Sequence, residues 1–307
     1  MKFTIVTPSY RQLDWLGCCI ASVADQENVQ VEHIVQDAGS PGIEEFARDI
    51  ERRLSEKYGG NGSPNLAAGE LLHWRTSGGY SLRIFKERDA GMYDAVNRGL
   101  EKGSGNIGAY LNCDEQYLPR TLEWVQDFFT ARPKIQVVFG DVIVLKSDGT
   151  PLCHRKVALP QPWHVMVSGN LTIFTAATFF RMGLLQEGHW FPAGWRVVAD
   201  AVWALQLRRQ KVLCTTARRF LATFTDTGNN MSLRPNALAE KQRLCLQAPR
   251  LIRFTPGLLI LSHRIRRWLA GSYRRQNLDY QIWRDGNDLQ RKAYAFSAVG
   301  PFWPGRF

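Results

Sequence analysis

Residues 87–117 read ERDAGMYDAVNRGLEKGSGNIGAYLNCDEQY, and the order of the pieces in that stretch decides the fold. Met92, Val96 and Leu100 recur at four-residue spacing with Ala95 and Gly99 beside them, which predicts a short helix over 91–102 with one apolar face. Gly103 and Gly105 end it, as glycines do at helix C-termini. Residues 107–112 (IGAYLN) then form a brief apolar run of the kind that makes a strand buried on both faces. Its C-terminal end delivers Asn112, Cys113, Asp114 and Glu115. Open α/β sheets bind ligands outside the carboxyl ends of their strands. Two adjacent acids there suit Mg²⁺ or Mn²⁺, hard cations that share carboxylates with substrate phosphates; taken alone, the same pair also reads as a solvated turn.

Working outward, residues 3–7 (FTIVT) predict a first strand ending at Pro8, Ser9 and Tyr10, and 13–23 a helix carried by Leu16, Ile20 and Val23. Residues 32–36 (EHIVQ) predict a second strand, ending in Asp37-Ala38-Gly39-Ser40. An acid there suits a ribose or a base edge, or it bonds its own turn backbone. A second helix follows over 43–54. Residues 58–80 hold six glycines and one proline and read as an exposed insertion, with 66–74 (LAAGELLHW) as a short helical piece. Residues 81–85 predict the third strand. Strand and helix alternate throughout, which is the signature of an α/β domain with a largely parallel sheet. Past the acidic pair come a helix over 122–129, strands over 136–139 and 141–145, a turn at 147–150 and a helix over 196–213. Asp200 lies in the first turn of that last helix, where the dipole favours a carboxylate; a structural cap is therefore one reading of it.

The 307 residues, 45% hydrophobic and 11% aromatic, are enough for a substantial core. The N-terminus has no A-x-A cleavage pattern, and no run approaches the roughly 18 apolar residues of a membrane span. A signal peptide is not expected. Six cysteines are scattered without a C-x-x-C pair and read as reduced thiols of a cytoplasmic protein, with neither zinc nor a disulfide framework. The charge is uneven. Residues 240–275 carry nine basic side chains against one acid, Glu240, and so hold +8 of the net +11. Such asymmetry points to an acidic surface, membrane headgroups or nucleic acid, met by one part of the molecule.

The stretch 87–117 resembles the central signature of glycosyltransferase family 2, E-x-D-x-G-x-Y-D-A-x-N-x-G followed by L-N-x-D-D-x-Y. The similarity extends to TPSY (7–10), EHIVQDAGS (32–40), FGD (139–141) and VVADAVWALQL (197–207), covering about residues 1–230. It implies a GT-A fold, Rossmann-like, with a mostly parallel central sheet flanked by helices. It also implies an inverting glycosyltransferase of surface-glycan type with a nucleotide-sugar donor, UDP being expected. Carried over by position, Thr7, Pro8, Tyr10, Asp37, Asp89, Asp94, Asn97 and Asn112 fall at the donor, Asp114 and Glu115 at a Mn²⁺ or Mg²⁺ ion, and Asp200 at the general base. Glu115 stands where the family has a second Asp, Ala199 replaces an acid often found before the base, and the 58–80 insertion is long for the family. The chemistry is coherent on its own terms. A metal held by carboxylates stabilises the charge of a departing nucleoside diphosphate, and single displacement needs a base facing the acceptor hydroxyl of a glycan or a lipid-linked sugar.

Residues 231–307 lie outside the strong resemblance and are expected to form a basic, partly amphipathic helical extension of the 1–230 catalytic domain. Phe254, Leu258, Leu261, Ile265, Trp268 and Leu269 share one helical face, with His263, Arg264, Arg266, Arg267 and Arg274 on the rest. A helix of this kind over 254–275 suits an anionic membrane surface, such as the inner face of the plasma membrane; an ordinary core-facing helix has the same pattern. A dinucleotide-binding oxidoreductase would need G-x-G-x-x-G after the first strand, and TPSYRQLDWLG does not supply it. The remaining alternative is a non-catalytic protein that binds membrane or RNA through the basic segment. No RNA-binding module is recognisable, and nucleic acid is not an expected partner.

Overall fold

The computed structural model describes residues 1–228, 235–285, 288 and 290–304. Its first half alternates as the spacing predicts: β1 (Lys2–Ser9), α1 (Leu13–Ala24), β2 (Gln30–Asp37), α2 (Ile43–Tyr58), β3 (Asn61–Gly62), β4 (Glu70–Arg75), β5 (Tyr80–Lys86), α3 (Met92–Glu101) and β6 (Ile107–Tyr110). The segment 66–74 departs from the helical expectation. Glu70, Leu72 and Trp74 are buried while Leu71 and His73 turn outward, a period of two, and β4 pairs antiparallel with β5. The alternation within ELLHW and a ready edge on β5 override the helix propensity of the preceding alanines.

The second half contains β7 (Glu115–Tyr117), α4 (Thr121–Ala131), β8 (Val137–Lys146), β9 (Pro151–Arg155), α5 (Pro162–Ser168), β10 (Thr178–Arg181), α6 (Gly183–Gln186), α7 (Ala199–Arg209) and β11 (Cys214–Asp226). One sheet runs β3-β4-β5-β2-β1-β6-β10-β8-β11-β7, with β9 paired to β8. Its centre, β5-β2-β1-β6, is parallel throughout, and antiparallel strands lie toward its flanks. The six cysteines are all free thiols.

Two glycines set how closely the 87–117 stretch packs on the centre of the sheet. A Cβ on Gly99 would stand 2.5 Å from Val6 Cγ1, and one on Gly105 would stand 2.6 Å from the Thr4 backbone nitrogen. Any larger residue pushes α3 off β1. Val96 and Leu100 are buried in the same interface, so the N-terminus of α3 is carried to the carboxyl ends of β1 and β6.

The C-terminal extension is helical only in its first part: α8 (Pro235–Leu246), α9 (Arg250–Arg253) and α10 (Pro256–Leu269) are followed by a hairpin of β12 (Gln276–Ile282) and β13 (Lys292–Val299). The expectation of a helical extension is corrected there, because β-branched and aromatic residues alternate; Tyr280 and Tyr294 stack across the hairpin at 5.3 Å. The expected boundary at 230/231 falls within 229–234, outside the described residues. Leu244 and Ala248 share a core cluster with Trp203 and Leu207, and Leu278, Tyr280 and Ile282 share one with Ile143 and Leu145.

Helix α10 is turned inside out. Its buried residues are His263 and Arg267, whereas Phe254 just before it is 84% exposed and Leu258, Leu261, Ile265, Trp268 and Leu269 on it are also exposed. It is therefore not a core-facing helix with a solvated basic side.

Candidate active site

The chain leaves β1 for β2 on one side and returns at β6 on the other, which opens a crevice at the carboxyl ends of these strands. A cleft of about 2650 Å³ lies there, and Pro8, Tyr10, Asp89, Asn112, Asp114 and Asp200 are among the residues that line it. Small-molecule pockets commonly measure roughly 300–1,000 Å³, so the cleft has room for two ligands side by side.

The acid pair sits where β6 ends. Glu115 is almost fully buried, its backbone held by the pairing of β7 with β11 opposite Phe224, and its Oε2 accepts the Asn112 N–H at 2.8 Å. Asp114 and Glu115 both line the cleft. Burial raises both carboxyls above the ordinary carboxylate range, and for Glu115 the neighbouring Asp114 charge adds to it. A buried acid beside a half-buried one, repelling each other, is the arrangement a cation relieves. Among the described residues no third His, Cys, Asp or Glu joins them. The pair therefore fits a Mg²⁺- or Mn²⁺-type ion that takes two protein carboxylates and fills its shell with water and phosphate oxygens.

Asp200 occupies the first turn of α7, and that helix begins at Ala199, three residues later than the spacing predicts. The delay has a cause in the extension. The Glu240 carboxylate of α8 accepts the N–H groups of Arg196 (2.7 Å), Val197 (2.8 Å) and Val198 (3.0 Å). These are donors that an earlier helical turn would leave orphaned. Asp200 Oδ1 accepts the Ala201 N–H at 2.7 Å, and burial pushes its carboxyl up to about 6 against the opposing pull of that bond and of the Tyr93 hydroxyl. A carboxylate with its pKa near neutrality is suited to take a proton in a reaction.

Several residues expected at the donor stand one layer behind the cleft. Thr7 is fully buried, its Oγ1 paired with His33 Nε2 at 2.9 Å. Asp37 is also fully buried. Its Oδ1 accepts the Gly39 and Ser40 N–H groups at 2.9 and 2.6 Å, and its Oδ2 accepts the Ser40 hydroxyl at 2.7 Å. It shapes the turn whose Ala38 and Gly39 line the cleft. Asp94 accepts the Ala90 N–H at 2.9 Å and pairs with Arg98 at 3.0 Å, which ties down the loop carrying Asp89. Asn97 bonds the Phe191 backbone twice: Nδ2 donates to the carbonyl at 2.8 Å and Oδ1 accepts the N–H at 3.2 Å. Asn97 is not among the residues that line the cleft. Tyr93 and Glu240 are not among the site residues expected from the sequence, since the contact of Tyr93 with the Val197 carbonyl and those of Glu240 with 196–198 each span more than forty residues of chain.

The family model described as Glycosyl transferase family 2 matches residues 4–185. The PGL/p-HBAD biosynthesis glycosyltransferase of Mycobacterium tuberculosis is 25% identical over 267 residues, spanning 87% of this chain and 90% of its own. Among solved structures, S. aureus TarS 1–349 in complex with UDP-GlcNAc superposes with a TM-score of 0.53 at 15% identity, over 88% of this chain and 73% of that one. The mannosyltransferase PcManGT from Pyrobaculum calidifontis, in complex with GDP-Man and Mn²⁺, gives 0.52 at 14% identity, over 88% and 78%. At these identities the structural likeness speaks for the fold, which is GT-A.

Proposed function

The chain belongs to glycosyl transferase family 2, and from that premise we propose that it moves a sugar from a nucleoside-diphosphate donor to a hydroxyl of a glycan or lipid-linked acceptor, with inversion at the anomeric carbon. Asp200 accepts the hydroxyl proton as the acceptor oxygen bonds the anomeric carbon and the bond from that carbon to the donor phosphate breaks. The observation that carries this reading is the presence in one cleft of a half-buried Asp200, raised to about 6, and an uncompensated acid pair at the end of β6. Asp114 and Glu115 would hold a divalent cation, which when bound supplies charge stabilisation to the leaving diphosphate. Asp89, Asn112, Pro8 and Tyr10 contact the donor, while Thr7, Asp37, Asp94 and Asn97 shape the walls from behind. The base is read at the 37–40 turn.

UDP is the expected nucleotide, in keeping with the UDP-GlcNAc held by one structural neighbour; another holds GDP-Man, so the fold accommodates either. Calorimetry against UDP, GDP, dTDP and CMP, with and without Mn²⁺, tests the donor assignment. One selective response, strengthened by metal, is expected. Silence toward all four nucleotides would remove the donor site and leave the non-catalytic reading.

Peripheral attachment to an anionic membrane through the exposed face of α10 belongs to the same proposal, and would bring a lipid-linked acceptor to the cleft from the cytoplasmic side. No helix among the described residues is long and apolar enough to cross a membrane. Inserting a large apolar side chain removes it from water at about 1.5–3 kcal/mol. Phe254→Ser/Leu258→Ser/Trp268→Ser, three positions between 68% and 84% exposed, is therefore expected to weaken partitioning onto phosphatidylcholine–phosphatidylglycerol vesicles by at least about tenfold. The fold should be untouched. Unchanged co-sedimentation would mean the face serves something other than lipid.

A further inference from the structure

Two other guanidinium groups held inside this protein are answered by carboxylates. Arg291 donates to both carboxylate oxygens of Asp25 at 2.6 Å, and Arg83 donates to Glu70 at 2.7 Å. Arg155 and Arg267 differ. Arg155, at the end of β9, gives one long bond to the Pro301 carbonyl at 3.4 Å. Arg267, on the inward side of α10 and only 9% exposed, gives one to the Lys156 carbonyl at 3.4 Å, and its Nε has no partner. Each guanidinium carries five N–H donors, so most of this capacity is unspent. Among the described residues neither has a carboxylate in ion-pair range. The charge of Asp141 does act on Arg267, but Asp141 accepts the Val157 N–H at 2.8 Å instead. Buried charges in proteins are ordinarily paired.

Apart from Asp141 and the Tyr273 ring, 5.4 Å from the Arg267 guanidinium, the charges around the pair are positive. The two guanidiniums are close enough for the charge of Arg155 to lower the pKa of Arg267, after burial itself. His263, stacked on His164 at 3.9 Å, is pushed down to about 4 by burial and by the charges of His164, Arg267 and Arg155. All four side chains line the cleft, with Lys241 and Arg264 beside them. Along the register Glu115↔Phe224↔Val144↔Cys153, β9 stands three strand spacings from β7, about 14 Å at ~4.8 Å per strand. The backbone that carries Arg155 is thus well separated from the one that carries the acid pair.

We propose that Arg155 and Arg267 form an anion site in the acceptor half of the cleft, and that the acceptor carries a phosphate or diphosphate group held there. Planar guanidiniums suit phosphate oxygens, which they bind in pairs. The word acceptor rests on the transferase reading; the anion site does not.

The test uses the full chain in phosphate-free buffer with EDTA, titrated with inorganic pyrophosphate. Wild type and Asp114→Asn bind, whereas Arg155→Met and Arg267→Met bind at least tenfold more weakly. The melting temperature of Arg267→Met without anion is unchanged or higher, since an unanswered buried charge has been removed. Partitioning of both Arg variants onto phosphatidylcholine–phosphatidylglycerol vesicles stays at the wild-type level, which assigns the site to a ligand phosphate and not to a bilayer headgroup. Equal pyrophosphate binding in the Arg variants overturns the proposal, as does metal-free binding that disappears with Asp114→Asn. Loss of vesicle partitioning with pyrophosphate binding intact overturns it too. A chain that shows the expected pyrophosphate pattern yet transfers no sugar would sink the transferase reading and keep the anion site.

Discussion

In Asp200→Asn, sugar transfer is expected to fall about 10²–10⁴-fold, the range that a general base contributes, while the affinity for the nucleotide donor stays at the wild-type level. The side chain keeps its size and its contact with the Ala201 N–H; only the ability to take a proton is lost. The pH profile gives the sign. Burial lifts the carboxyl from 3.8 to about 6, so the ionised, competent form predominates above pH 6 and disappears below it. Wild-type kcat/KM should accordingly fall about tenfold per unit as pH drops below 6, and the residual activity of the variant should lack that limb. Stability moves in the other direction. A carboxyl whose folded pKa is raised favours the folded state while protonated and loses that contribution as pH climbs from about 4 through 6, so the amide should leave the melting temperature at pH 7 unchanged or higher. If Asp200 were only a first-turn helix acid, the variant would lose stability by about 0.3–1 kcal/mol and turn over normally. Retained turnover removes Asp200 as the base.

How much of this was legible follows from how local each signal is. The helix and strand of 87–117 are legible because four-residue recurrence and an unbroken apolar run lie within a few residues of each other, and Gly99 within the helix and the glycines that end it let the segment approach Val6 and Thr4. Residues 66–74 read as helix because LAAGELL has good helix formers, while the strand partner that decides the matter, β5, lies beyond a turn. At the site, residue type was readable and direction was not. Asp37 and Asn97 have the chemistry of donor contacts, but a carboxylate or amide that meets a nearby backbone spends its hydrogen bonds there. The contacts of Glu240 with 196–198 and the convergence of Arg155 with Arg267 bridge tens of residues and leave no periodic trace. Helix α10 shows the limit most sharply: one amphipathic pattern describes a helix with its apolar face inward or outward, and only packing against α5 and the bond to the Lys156 carbonyl reveal that the guanidinium is the buried part.

Asp114→Ala is expected to abolish the strengthening of donor binding by Mn²⁺ or Mg²⁺ and to weaken nucleotide affinity in saturating metal by about 10²-fold, some 2.7 kcal/mol. Binding without metal should hardly change. The asymmetry follows from the donor set. Among the described residues Asp114 and Glu115 form no larger ligand cluster, so removing one leaves a cation with a single protein carboxylate, and that carboxylate is already engaged by the Asn112 N–H. A companion variant separates metal geometry from charge. Glu115→Asp recreates the acidic pair more usual in the family, yet the backbone at 115 is fixed opposite Phe224 in the sheet and cannot advance to make up the missing methylene. It should therefore reduce metal-dependent binding while conserving charge, whereas a site that needs only negative charge would leave it unaltered. Calorimetry of both variants with the preferred nucleotide, across a metal titration, reads the difference directly. Metal-dependent donor binding that survives Asp114→Ala would place the cation elsewhere in the cleft, and the long reach of Glu115 would then have no ligand to explain it.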